Sequence, residues 1–132
     1  MKYLLDTCIV SDFVKGQPSV LLRLKATAPN LIAISSITRM EIEFGLMRNA
    51  QRAAKLAPVI DAFLRSISTL PFDAADAQAA GAVRAALQTR GQPIGAYDVL
   101  IAGCALARGL IVVTSNVGEF ERVNGLVVEN WR

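Results

Sequence analysis

Residues 94–116, IGAYDVLIAGCALARGLIVVTSN, leave few folds open to this chain. Asp98 is followed by Val99, Leu100, Ile101, Ala102, Cys104, Ala105, Leu106 and Ala107, apolar on almost every face, as in a helix packed on several sides. Arg108 and Gly109 then supply a cation for the last turn and the residue best suited to a left-handed C-cap. Residues 110–113 form a short apolar run without alternation, the pattern of a strand covered on both faces, and it ends in the polar Thr114, Ser115 and Asn116. A helix, a tight turn, a buried strand and a polar tip make half of an α/β unit. One carboxylate stands at the head of its helix.

The rest of the chain repeats this alternation. The patterns predict strands over 2–5, 31–34, 67–70 and 126–129, and helices over 7–15, 18–28, 37–47, 56–64 and 74–89. With no internal repeat or linker, that order predicts one α/β domain over residues 1–132, a three-layer α/β/α arrangement around a mostly parallel sheet. In the helix over 37–47, Ile37, Met40, Phe44 and Met47 recur at helical spacing and are expected to face the core. Glu41 then lies on the margin of that stripe, able to reach a cleft, with Glu43 nearly opposite. Pro58 is expected near the first turn of the next helix, where a missing N–H is harmless. Asp73 and Asp76 fit a capped helix start better than a catalytic pair.

Composition removes whole classes of chemistry. The chain has no histidine, which excludes Ser-His-Asp and Cys-His catalysis and nearly every zinc site. Cys8 and Cys104 stand singly in apolar sequence, as reduced core thiols do. No apolar run reaches the length of a membrane helix, and Asp6 interrupts the opening MKYLLDTCIV before it could serve as a signal peptide, so a cytoplasmic protein with no membrane partner is expected. The apolar fraction of 53% and mean hydropathy of +0.41 call for an aliphatic-rich interior and some apolar surface covered by a partner.

In parallel sheets, function collects beyond the carboxyl ends of the strands. Three acids stand in such places: Asp6 after the first strand, Glu41 on the helix after the second, and Asp98 heading the buried helix. Crowded carboxylates cost several kcal/mol unless a cation neutralises them, and oxygen ligands without histidine or thiolate select Mg2+ or Mn2+. Setting these three acids aside leaves eight against fourteen basic residues, an excess of six around an acidic hole, which suits a phosphodiester substrate. Arg39, Arg48 and Arg90 are candidates for a basic rim, although a solvated helical face is the commoner role for such residues. Other acid-pocket chemistries fit poorly. A haloacid-dehalogenase-type phosphatase needs an Asp where Cys8 stands, a receiver domain needs a further acidic pair and a late lysine, and no phosphate-binding glycine motif is present.

Four segments in order, YLLDTCIVSDFV, SSITRMEIEFGL, IGAYDVLIAGCALARG and IVVTSNVGEFERVNGLVVENW, resemble the PIN-domain ribonucleases, specifically the VapC toxins of bacterial toxin–antitoxin pairs. The resemblance spans Tyr3 to Trp131. It implies that Asp6 is the first metal-binding Asp, Glu41 the acid of a T-x-x-E-x-x-x-G segment ending at Gly45, and Asp98 the Asp of I-G-x-x-D, with Thr7 and Thr114 holding the cluster. Many PIN domains carry a fourth acid where Asn116 stands; here the nearest carboxylate is Glu119, which the resemblance leaves as a catalytic candidate acting through a water or a second metal. It further implies a Mg2+-dependent endoribonuclease leaving a 5′-phosphate and a 3′-hydroxyl, with transfer RNA among its substrates. A VapB-like antitoxin and a homodimer are the implied partners. The alternative is a PIN-like module that binds RNA or antitoxin but no longer cuts, its metal lost with the change at Asn116.

Overall fold

The computed structural model describes residues 1–132. Strands β1 (Tyr3–Leu5), β2 (Ile32–Ser35), β3 (Ser68–Leu70), β4 (Ile111–Val113) and β5 (Val128–Glu129) form one sheet in the order β3-β2-β1-β4-β5, and every pairing is parallel. The helices are α1 (Thr7–Val14), α2 (Pro18–Ala26), α3 (Ser36–Arg48), α4 (Ala50–Ser66), α5 (Ala74–Thr89), α6 (Ala96–Arg108) and the short α7 (Val117–Phe120), with a 3-10 turn at Pro29–Leu31. The chain lays β1, β2 and β3 in one direction, then returns past β1 to add β4 and β5 on its other side. That reversal puts the sheet's topological switch point between β1 and β4, where the carboxyl ends of two strands open a crevice.

Two apolar clusters sandwich the sheet. Leu4, Ala33 and Val112 face α5 and α6, where Val83, Leu87, Ile101 and Ala102 meet them; Leu5, Ile34 and Val113 face the other way, onto Ile9, Val20, Ile42, Ile60 and Leu64. Successive strand residues point to opposite faces, so a sheet covered on both sides needs the unbroken apolar runs seen in the sequence. Each fully buried Val, Leu or Ile side chain among them contributes about 1.5–3 kcal/mol. Helices α5 and α6 pack closest of all: a Cβ on Gly103 would stand 2.6 Å from both the Cβ and the backbone nitrogen of Ala80.

Helix ends follow local chemistry. Asp73 and Asp76 form a reciprocal capping box at the start of α5, and Gly109 closes α6 in the left-handed conformation at φ 66°. Asp76 is fully buried and pairs with Arg108, which reaches back from the last turn of α6 (3.1 Å) and also donates to the Pro71 carbonyl at 2.8 Å.

Three expectations fail. The face of α3 turned to the core carries Thr38 and Ile42, while Met40, Phe44 and Met47 are 41%, 59% and 82% exposed. Their helical spacing is real, but it marks a surface stripe, and only Ile37 of that set packs against the core. Helix α4 starts at Ala50 rather than near Leu56, because the Asn49 side chain accepts the Arg52 N–H as an N-cap. Pro58 therefore sits inside the helix, on its exposed side, among alanines whose helix propensity offsets part of its cost of about 3 kcal/mol. Cys104 is buried as expected, but Cys8 is exposed, because the second residue of α1 faces the crevice rather than the core. No helix is long and apolar enough to cross a membrane.

Candidate active site

The site is built on the switch point. In the β1–β4 register Leu5 is opposite Val113, so the next residues along, Asp6 and Thr114, emerge side by side at the carboxyl ends of the two strands. The Asp6 N–H still donates to the Val113 carbonyl at 3.0 Å, which fixes its backbone to the sheet. Asp6 also caps α1: one carboxylate oxygen accepts the Ile9 N–H at 3.0 Å, and the other accepts the hydroxyl of the fully buried Thr114. Thr114 Oγ1 in turn accepts the Asn116 N–H at 2.8 Å. Burial pushes the Asp6 carboxyl up to about 6, against the lowering effect of the Thr114 and Ile9 hydrogen bonds.

Glu41 arrives from α3. Ser35, the last residue of β2, caps that helix by accepting the Thr38 N–H, and the half-buried Glu41 then meets α1, where Thr7 Oγ1 donates to its Oε1 at 2.6 Å. Asp98 comes from the first turn of α6, with Gly95 as the N-cap. Its carboxyl is raised to about 7, first by burial, then by its hydrogen bond with Glu119, then by the negative charges of Glu119, Asp6 and Glu41. Glu119, from α7, is held below the usual carboxylate range, first by that same hydrogen bond, with further help from Asn116, the Gly95 N–H and Arg122. Asn116 Nδ2 donates to Glu119 Oε2 at 2.7 Å. The contact therefore shifts Asp98 toward its protonated form and Glu119 toward its ionised form.

The residues singled out from the sequence thus lie on one side of the molecule. Asp98 lies within electrostatic reach of the other three acids, and Thr7, Thr114 and Asn116 each hold one of those three. The acids are not drawn onto a single point: no three of them already form a ligand cage. Each instead turns to a protein donor or, for Asp98 and Glu119, to the other acid.

Other contributors carried no clear signal in the sequence. The Gly95 N–H braces Glu119, and the Cys8 thiol, pushed up to about 11 by burial and by the charges of Asp6 and Asp98, stays protonated at the mouth of the crevice. The arginines expected at a basic rim are occupied. Arg39 pairs with Glu43 at 2.9 Å, Arg48 lies over the Phe44 ring, and Arg90 donates to the Arg122 carbonyl.

The PIN domain family matches residues 3–126 of this chain. Among curated proteins, the tRNA(fMet)-specific endonuclease VapC of Shigella flexneri is 40% identical over 131 residues, covering 99% of this chain and 98% of its own length. Ribonuclease VapC2 of Haemophilus influenzae is 37% identical over 132 residues, with the same coverage. Among solved structures, VapBC2 of Rickettsia felis bound to a DNA fragment from its promoter superposes with a TM-score of 0.92 at 34% identity, covering 100% of both chains. DNA-bound VapBC of Salmonella typhimurium gives the same TM-score at 37% identity, covering 100% of this chain and 99% of the other. The chain belongs to the PIN-domain family and, within it, to the VapC ribonucleases.

Proposed function

We propose that this chain is an endoribonuclease that hydrolyses RNA phosphodiesters with a divalent cation, Mg2+ or Mn2+, held by Asp6, Glu41 and Asp98. The observation that carries this reading is the state of Asp98. A half-buried carboxyl raised to about 7 beside three further acids is a cluster that repels itself and is relieved by a hard cation. The donor set is oxygen throughout, with no histidine anywhere in the chain, which suits Mg2+ or Mn2+ and not zinc. A cation bound there lowers the pKa of a water and offsets charge on the phosphoryl oxygens.

The chain's own residues set the geometry. Thr114 and the Ile9 N–H hold Asp6, Thr7 holds Glu41, and Asn116 holds Glu119 opposite Asp98. With a cation held by Asp6, Glu41 and Asp98, Glu119 would lose its hydrogen bond to Asp98 and would be available to orient a water. Asn116 serves as the strut for Glu119 rather than as a fourth acid. Cleavage that leaves a 5′-phosphate and a 3′-hydroxyl completes the reading.

Residues 1–132 act as one PIN-like unit in the cytoplasm, with transfer RNA as the substrate class suggested by the Shigella relative. A VapB-like antitoxin controls it, as the VapBC complexes suggest, and a second copy covers the exposed Met40, Phe44 and Met47 of α3. The test is a gel of total RNA with and without chelator. Wild type cuts in Mg2+ and not in EDTA, and Asp6→Asn and Asp98→Asn abolish cutting while retaining a cooperative thermal melt. RNA that is bound but never cut would favour a non-catalytic binding module; cleavage that survives EDTA would overturn the mechanism.

A further inference from the structure

Asp98 and Glu119 come from segments that meet only in the fold, and both close on Gly95. A Cβ on Gly95 would stand 3.3 Å from Asp98 Oδ2, so that carboxyl folds back over the glycine, while the Gly95 N–H braces Glu119. The spacing of the two acids therefore follows the loop of residues 90–95 between α5 and α6. That loop has little of its own to hold it. The Gln92 N–H ties its start to the Leu87 carbonyl at 2.9 Å and Ile94 leans on the core, but from Ile94 to Asp98 no main-chain N–H donates to a main-chain carbonyl.

Arg122 grips the loop from the other side of the crevice. It stands just past α7, between the fully buried Phe120 and the buried Val123, so its backbone is anchored although its side chain is exposed. Its Nη1 donates to the Pro93 carbonyl at 2.9 Å, and its own carbonyl accepts the Arg90 guanidinium. The turn that carries Glu119 thus meets the loop at three points, two residues apart along it at Pro93 and Gly95 and again at Arg90. The positive charge of Arg122 also favours the ionised form of Glu119.

We propose that Arg122 is a positioning residue for the cleavage reaction: by holding the Pro93 carbonyl it fixes Gly95, and through Gly95 the spacing of Glu119 from Asp98. Arg90, on the Arg122 carbonyl, is the second half of the same clasp. The proposal rests on the ribonuclease reading and adds to it what sets the acid that orients the water. Small displacements of such a group are costly, because the water must approach phosphorus in line.

The test reads the clasp in the metal-free protein and its consequence in the loaded one. By NMR hydrogen exchange without metal, the Gly95 amide of Arg122→Ala should exchange faster than in wild type, while the Val112 amide, in β4, does not change. With RNA in Mg2+, Arg122→Ala should lower kcat roughly tenfold, the order found when a supporting residue is removed, with KM within about twofold. Arg122→Lys keeps a donor and the charge and should recover most of that loss, and Arg90→Ala should act in the same direction. If Arg122 works through Glu119, Arg122→Ala together with Glu119→Gln should be no slower than the slower single variant. A raised KM with kcat unchanged would make Arg122 an RNA-backbone contact and overturn the proposal. A lowered Tm with kcat unchanged, or losses that multiply in the double variant, would overturn it too. Wild type that never cuts RNA in Mg2+ would refute the ribonuclease reading, whereas unchanged Gly95 exchange in Arg122→Ala refutes the clasp whether or not RNA is cut.

Discussion

Raising the pH of the metal-free protein from about 5 to about 7 should destabilise it, and Asp6 sets the scale. An unfolded aspartate titrates near 3.8, whereas Asp6 in the native state titrates at about 6. Between those values the folded protein holds a proton that the unfolded chain has lost, so the stability is fully present below 3.8 and is lost as pH rises through about 6. The shift of about two pH units at ~1.4 kcal/mol each gives about 3 kcal/mol over the full window, of which about 1.3 kcal/mol is lost between pH 5 and pH 7, with no discount for solvent because the side chain is buried. For a domain of this size the loss between pH 5 and pH 7 is a fall in Tm of about 4 °C. Asp98 acts in the same direction and extends the window to about 7. Glu119, whose carboxyl is lowered, contributes stability present above the unfolded value and lost only as the pH falls well below it, outside this window. The assay is thermal unfolding in EDTA across the range, for wild type and Asp6→Asn. The substitution should remove the Asp6 share of the slope and leave the share that Asp98 contributes. A Tm that rises from pH 5 to 7, or an equal slope in Asp6→Asn, would refute the assignment of a buried, self-repelling acid.

Two substitutions test the scaffold that carries the site. Gly103→Ala forces a Cβ to within 2.6 Å of Ala80 at the α5–α6 contact and should cost about 1–3 kcal/mol in denaturant unfolding, an overpacking effect. Arg108→Ala leaves the buried Asp76 without its cation and should cost about 3–5 kcal/mol by the same measurement, with Arg108→Ala/Asp76→Ala together losing less.

What could be read from the sequence was what local chemistry dictates. The unbroken apolar runs of β1, β2 and β4 allow only strands buried on both faces, and Asp6, Ser35, Asp73 and Gly109 mark helix ends through hydrogen bonds reaching three or four residues. Asp6, Glu41 and Asp98 could be grouped because Asp6 follows a strand, Glu41 lies on the helix after one and Asp98 stands in the first turn of a buried helix. The face of α3 could not be read. Met40, Phe44 and Met47 imitate a core stripe, while the buried side includes Thr38, whose hydroxyl hides it from any apolar count. The start of α4 was obscured by Pro58, a residue that ends most helices but here rides on the solvent side of an alanine-rich one. The apolar neighbours of Cys8 point to the core, although a helix that begins at the crevice turns its second residue outward. The pairing of Glu119 with Asp98 depends on α7 folding back over the start of α6, a tertiary contact with no short-range signature.

Calorimetric titration of the protein with Mn2+ near pH 6.5, in two buffers of different ionisation enthalpy, tests the gathering of acids around a cation most directly. Asp98 is mostly protonated at that pH and Asp6 partly so, and both must be ionised to become ligands, so binding should expel about one proton per ion in total and should weaken sharply in Asp98→Asn. Binding without proton release, or binding equally tight in Asp6→Asn, Asp98→Asn and wild type, would contradict it.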